Sequence, residues 1–229
     1  TYELTLPSNG KKVKYRPFLV REEKILIMAL ETEDQKQITD AVIQILDSCI
    51  MTRGVKIESL ATFDIEYIFL NVRSKSVGET IKVNIICPDD EKTSVEIPID
   101  LDSIKIKKDK SHTDIVKLDD NLSMKLKYPS MKQFIESNFE AGKETVSNTM
   151  EVITSCIDMI YNEEESWNAS ESTKQELEEF IDQLDTKQFQ TIEKFFDTMP
   201  KLSHRVKVKN PKTEVESTVI LEGLAAFFN

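Results

Sequence analysis

The sequence predicts an α+β protein, with helical regions arranged around a small antiparallel β unit. Three observations predict it. Apolar residues recur at helical spacing over 25–72 and again over 146–196; the period falls to two over 79–128; and short alternating runs return at both ends of the chain. With 229 residues the chain is long enough to bury a real core, as one large domain or two small ones.

From Tyr2 to Phe18 two extended runs flank Ser8-Asn9-Gly10, and Asn-Gly between alternating residues predicts a hairpin. Ile25, Leu26, Ala29 and Leu30 then share one helical face, as do Ile38, Ala41, Val42, Ile45, Leu46 and Cys49, with capping residues at Thr32–Asp34 between them. A third helix over Leu60–Val72 is apolar almost all round, which predicts packing on several sides and the core of the N-terminal half. Gly78 ends it. Ile81, Val83 and Ile85, then Val95, Ile97 and Ile99, alternate as strands around the turn Cys87-Pro88-Asp89-Asp90, where proline presets the backbone. Further strands are expected at Ile104–Lys107, Ile115–Leu118 and Leu122–Lys127.

Ser130 and Gln133 have the spacing of a capping box, and a longer helix aligns Val146, Thr149, Ile153, Cys156, Ile157 and Ile160. The polar stretch Asn162–Ser172 separates it from a helical hairpin. Its first helix opens with the capping box Thr173/Glu176 and carries Leu177, Phe180, Ile181 and Leu184. The second carries Phe189, Ile192, Phe195 and Phe196 and is closed by Pro200. Strands return at Val206–Val208 and Val215–Ile220 around Asn210-Pro211-Lys212-Thr213, before the apolar tail Leu221–Phe228. The two X-Pro-X-X hairpins have one plan and are expected to pair in space. The chain then divides into an N-terminal hairpin and helical region (1–78), a β region with the first hairpin (79–129), a helical insertion (130–200), and a C-terminal hairpin and tail that completes the β region (201–229).

Charge and composition exclude several functions. With 30 Lys+Arg against 41 Asp+Glu, the formal net charge is −11, and the average surface repels phosphate backbones and anionic lipid. Nucleic acid is not an expected partner. The cluster Lys105, Lys107, Lys108 and Lys110 reads as a basic patch or a solvated loop, the loop being preferred. No run approaches the roughly 18 apolar residues of a membrane span, and Thr1–Pro7 shows no export or anchoring signal. Cys49, Cys87 and Cys156 form no closed disulfide set, so a reducing place of synthesis is expected.

Chemistry finds little to use. Two histidines, His112 and His204, and scattered cysteines give no zinc-ligand spacing, and five isolated glycines give no phosphate cradle or nucleophile elbow. The run Glu163–Glu165 reads as a solvated loop. No catalytic residue, cofactor, metal or small-molecule substrate is expected; a hydrolase hidden in the β region would have to use Asp89, Asp90 or His204. What remains is apolar surface. Phe227 and Phe228 either dock on the chain's own helices, the preferred reading, or project into a partner.

Leu6-Pro7-Ser8-Asn9-Gly10, Tyr15-Arg16-Pro17-Phe18 leading into Arg21-Glu22-Glu23-Lys24, Phe63 to Leu70, and Arg73-Ser74-Lys75-Ser76-Val77-Gly78-Glu79 together resemble the baseplate hub subunit and hub assembly family of T-even-type contractile-tailed phages. Leu221-Glu222-Gly223-Leu224 with Phe227-Phe228 is similar to that family's ending. Some relatives place Cys-Pro-X-Cys at each hairpin turn, as in a split zinc ribbon. Here only Cys87 of four ligands survives, so the resemblance implies a ribbon that has lost its metal ligands and holds by packing. It further implies a late protein of viral tail assembly, acting in the host cytoplasm and in the virion baseplate. The implied role is structural or assembly component of the central hub, through binding to other hub or tail proteins, whose basic patches suit the acidic surface. The alternative is a transient tail assembly chaperone absent from the mature virion. Partner contact is expected at Arg16, Arg73, Leu224, Phe227 and Phe228.

Overall fold

The computed structural model describes residues 1–131 and 146–227. The chain forms two compact units, one from Thr1–Ile57, Phe63–Lys107 and Pro200–Asn229, the other from Glu58–Thr62 and Lys108–Met199.

In the first unit β1 (Tyr2–Thr5) and β2 (Lys12–Tyr15) pair antiparallel. Their link is not a two-residue turn on Asn9-Gly10. Pro7 starts a wider turn in which the Gly10 N–H donates to the Leu6 carbonyl at 2.9 Å, and Gly10 takes φ 72°. Helices α1 (Val20–Glu31) and α2 (Gln35–Cys49) pack on each other, and the Asp34 carboxylate caps α2 by accepting from the Lys36 and Gln37 N–H groups. The all-round apolar pattern of α3 (Thr62–Val77) has the expected result: Phe63, Ile65, Ile68, Phe69, Leu70 and Val72 are all buried.

Strands β3 (Thr80–Ile86) and β4 (Ser94–Asp100) form a hairpin, while β5 (Lys105–Lys107), β10 (Lys201–Lys209) and β11 (Glu216–Glu222) form an antiparallel sheet in the order β11-β10-β5. No ladder joins the two sheets. They share a core instead: Val83, Ile85 and Ile99 from one hairpin pack in one cluster with Leu202, Val206, Val208 and Leu221 from the other. Side chains of this size each contribute about 1.5–3 kcal/mol when removed from water.

Both hairpins close through the same turn. In Cys87–Glu91 and in Asn210–Glu214 proline stands second, and the fifth N–H donates to the first carbonyl, at 2.9 and 2.8 Å. The fifth residue is left-handed in each, Glu91 at φ 54° and Glu214 at φ 62°. Leu6–Gly10 is a third copy, with glycine in the left-handed place.

The second unit holds a four-stranded antiparallel sheet in the order β6 (Ile115–Lys117), β7 (Ser123–Leu126), β8 (Ile157–Tyr161) and β9 (Ser166–Asn168). Among the described residues its α-helices are α4 (Val146–Ser155), α5 (Lys174–Asp182) and α6 (Thr186–Thr198), and its core gathers Val116, Met124, Ile153, Ile157, Ile181, Ile192 and Phe195.

Four expectations change here. The sequence assigns β6 and β7 to the middle β region, but they pair with β8, so the first unit breaks after Lys107 and not at 129. The expected helix over 146–160 ends at Ser155, and Ile157 and Ile160 lie in β8. The cause is an irregularity: register shifts between Lys125 and Leu126, which changes parity along β8 and buries residues three apart, mimicking helical spacing. The polar stretch 162–172 contains the exposed strand β9. Finally, α5 packs mainly on α4 and α6 on β6, so the pair is not a helical hairpin packed on itself. The Thr173/Glu176 box does form, with Glu176 Oε2 accepting from the Thr173 N–H at 2.7 Å. Gln133, and with it the box at Ser130, lies outside the described residues.

Candidate functional site

The polar residues that stand out in the sequence are joints of the fold. At the end of α3, the buried Ser74 hydroxyl donates to Asp102 at 2.7 Å, and Lys75 bridges Asp102 and Glu79, each at 3.0 Å. Hydrogen bonds donated to Glu79, then to Asp102, hold the Lys75 pKa above the ordinary lysine value. The Ser76 hydroxyl turns back to the Val72 carbonyl and accepts the Phe18 N–H at 2.9 Å, and Gly78 ends the helix at φ 118°. The block Arg73–Glu79 thus ties α3 to the end of β4 and to the chain leading into α1. Arg73 is half-buried on α3; burial draws its pKa down while the charge of Glu23 opposes the shift.

Arg16 also has an internal task. Its guanidinium donates to the Pro17 carbonyl and to Glu22, Nη2 lying 3.0 Å from Oε1. Glu22 is only 2% exposed. Burial pushes its carboxyl up, but hydrogen bonds from Arg16, Arg21 at 2.7 Å and the Leu19 N–H at 2.6 Å outweigh it and hold the pKa at about 2. This carboxylate locks the start of α1 onto the end of β2.

The third joint connects the hairpin turns. Asn210 is fully buried, and its Nδ2 donates to both carboxylate oxygens of Asp89 at 3.1 Å, while the Thr213 hydroxyl donates to Asp89 as well. Asn210 Oδ1 accepts the Lys212 N–H at 2.9 Å, so one amide serves both turns. Across the first turn, Asp90 accepts from the Lys92 and Thr93 N–H groups and from the Thr93 hydroxyl. Thr213, then Asn210, lower the pKa of Asp89; Thr93, by side chain and backbone, lowers that of Asp90. The shared plan of the two turns predicts their pairing, but not this joint. An acid in one X-Pro turn and an amide in the other was the available signal.

Phe227 is 2% exposed and belongs to the core shared by the hairpins, with Leu70 of α3. This is the docking within the chain that the sequence favours for Phe227 over projection into a partner. Leu224 lies in the single-turn 3₁₀ helix Leu224–Phe227, and Phe228 lies outside the described residues. Cys49, Cys87 and Cys156 are buried, and burial pushes the thiols of Cys49 and Cys156 up to about 11 and about 12. Among the described residues no group of three or more His, Cys, Asp or Glu is placed to hold a metal ion, and no helix is long and apolar enough to cross a membrane.

Two hairpins on a shared core, closed by a side-chain joint and braced by helices, define a mixed α+β scaffold. The chain belongs to the T4 bacteriophage base plate protein family, whose sequence profile matches residues 1–229. No curated protein and no solved structure matches it significantly. Its place of action is the tail baseplate of a T4-type phage.

Proposed function

We propose that this baseplate protein is a structural or assembly component of the central hub, acting by binding other hub or tail proteins, without catalysis or cofactor. The family match over residues 1–229 carries the reading. The joints support it: Ser74, Lys75, Glu22, Asp89 and Asn210 spend their charges and amides on holding the scaffold, and the buried thiols are poor nucleophiles at neutral pH. The β unit is a ribbon whose metal has been replaced by hydrogen bonds. Cys87, Asp90, Asn210 and Thr213 offer one thiol, a carboxylate already held by Thr93, an amide and a hydroxyl, a poor set for zinc. The protein is made and assembles in the host cytoplasm as a late product.

Mass spectrometry of purified virions and of hub intermediates tests this. The protein is expected in both. Its absence from both sinks the hub role, and presence in intermediates alone selects a transient chaperone.

A further inference from the structure

The outward face of the β11-β10-β5 sheet carries a concentration of one charge that the rest of the chain does not predict. Along β10, Leu202, Val206 and Val208 point into the core, which places Lys201, Arg205, Lys207 and Lys209 on the opposite face. Register adds two more cations, since Lys107 lies directly opposite Lys201 and Lys105 opposite Ser203. Five of the six are exposed and Lys201 is half-buried. In a chain of net charge −11, no ion pair among the described residues engages any of them.

This is not the pattern of a merely solvated face. Like charges directly opposite on paired strands are destabilising, yet Lys107 faces Lys201 with no acid between them. The sister hairpin shows the ordinary solution, Lys82 paired to Glu96 at 2.8 Å. On the same face Ile220 lies opposite Arg205 and is 51% exposed, an apolar contact beside the cations, and β11 adds two acids, Glu216 opposite Lys209 and Glu222 opposite Ser203, neither of which makes an ion pair with the stripe. Nine residues of β10 at about 3.4 Å each make the stripe about 30 Å long, and β5 widens it to about 10 Å at the Lys201 end.

We infer that this face docks an acidic protein surface of similar length and width, with Ile220 and Arg205 at the centre of the contact. An acidic protein fits better than nucleic acid. A long phosphate polymer would run past the stripe onto a chain that is otherwise more acidic than its net charge, while a folded partner can end where the cations end. Opposite charge also speeds and orients docking. The inference rests on the protein-binding reading above, and its test uses no phage particle, so either can fail alone.

The test is fluorescence anisotropy of labelled poly-L-glutamate, and of a single-stranded oligonucleotide of equal charge, titrated with the full chain at low salt. The chain is expected to bind polyglutamate more tightly. K201E/K207E/K209E should lose at least about tenfold in affinity, and K11E/K14E/K92E, with the same net charge but mutated elsewhere, less than about threefold. Circular dichroism checks the fold; should the reversal variant unfold, K201Q/K207Q/K209Q replaces it, with an expected loss of about fivefold. Equal losses in the two variants, no polyglutamate binding, or tighter oligonucleotide binding would overturn the proposal. So would self-association at low salt that K201E/K207E/K209E abolishes, since the face would then serve a second copy of this chain.

Discussion

The hairpin β3–β4 and the hairpin β10–β11 contribute side chains to one core and close through one turn, while their outward faces differ. On the first, Lys82 reaches Glu96 across the pair; on the second, Arg205, Lys207 and Lys209 make no ion pair among the described residues, although Glu216 lies opposite Lys209. The turns differ too, because the first residue is a buried thiol in one and a buried amide in the other. Packing permits few choices at Val83 or Val206, so the inward likeness reports the fold. Solvent-facing positions accept almost any polar residue, so the excess of cations there is not dictated by packing, and it is what the proposed acidic partner would use.

The amide should matter most. In Asn210→Ala the Asp89 carboxylate loses two hydrogen bonds and the second turn loses the acceptor for Lys212, at a cost of about 2–3 kcal/mol in urea unfolding. Cys87→Ala at the matching place removes one buried sulfur and should cost about 1 kcal/mol. Equal losses would mean that the joint adds nothing beyond packing, and the turns would be alike in energy as well as in shape.

Much of this architecture is legible in the sequence because its causes are local. Asp34 and the Thr173/Glu176 box cap helices as their spacing requires, and β3, β4, β10 and β11 fall where apolar residues alternate. What escapes is non-local. β8 needs β7 as a partner before its residues prefer a strand, and its irregular register removes the alternation that would reveal it. At the site, Arg16 and Arg73 stand out by type, but only the fold shows Arg16 spent on Glu22. The basic face is hidden for the same reason. Lys105 and Lys107 look like part of a loop cluster until β5 is laid against β10, 92 residues of chain having come between Lys107 and Pro200.

Acid separates the two carboxylates of the joint. Asp89 and Asp90 both titrate below the ordinary aspartate value of 3.8 in the folded protein. Their contribution to stability is therefore complete above that value and drains away as pH falls through the depressed ones. Thr213→Val removes the first cause of the Asp89 shift, so Asp89 should rise toward 3.8, while Asp90, held by Thr93 and Lys92 within its own turn, stays low. Carboxyl-carbon NMR titration reads both. Movement of Asp90 as far as Asp89 would show that the turns titrate as one unit.

The smallest effect tests whether the three turns share an energy as well as a geometry. Glu91 and Glu214 occupy the left-handed place that Gly10 fills in the first turn, at φ 54°, 62° and 72°. A β-carbon is strained there, and glycine removes the strain at some cost in unfolded-chain entropy. Glu91→Gly and Glu214→Gly should each stabilise by about 0.5 kcal/mol, and Gly10→Ala should destabilise by about 1 kcal/mol even though its β-carbon would meet no atom within 4 Å. Shifts of about 1–3 °C in the thermal midpoint would follow. Loss of stability in Glu214→Gly alone would mean that this side chain does work which Glu91 does not, and the second hairpin would then differ from the first in its turn as well as on its outward face.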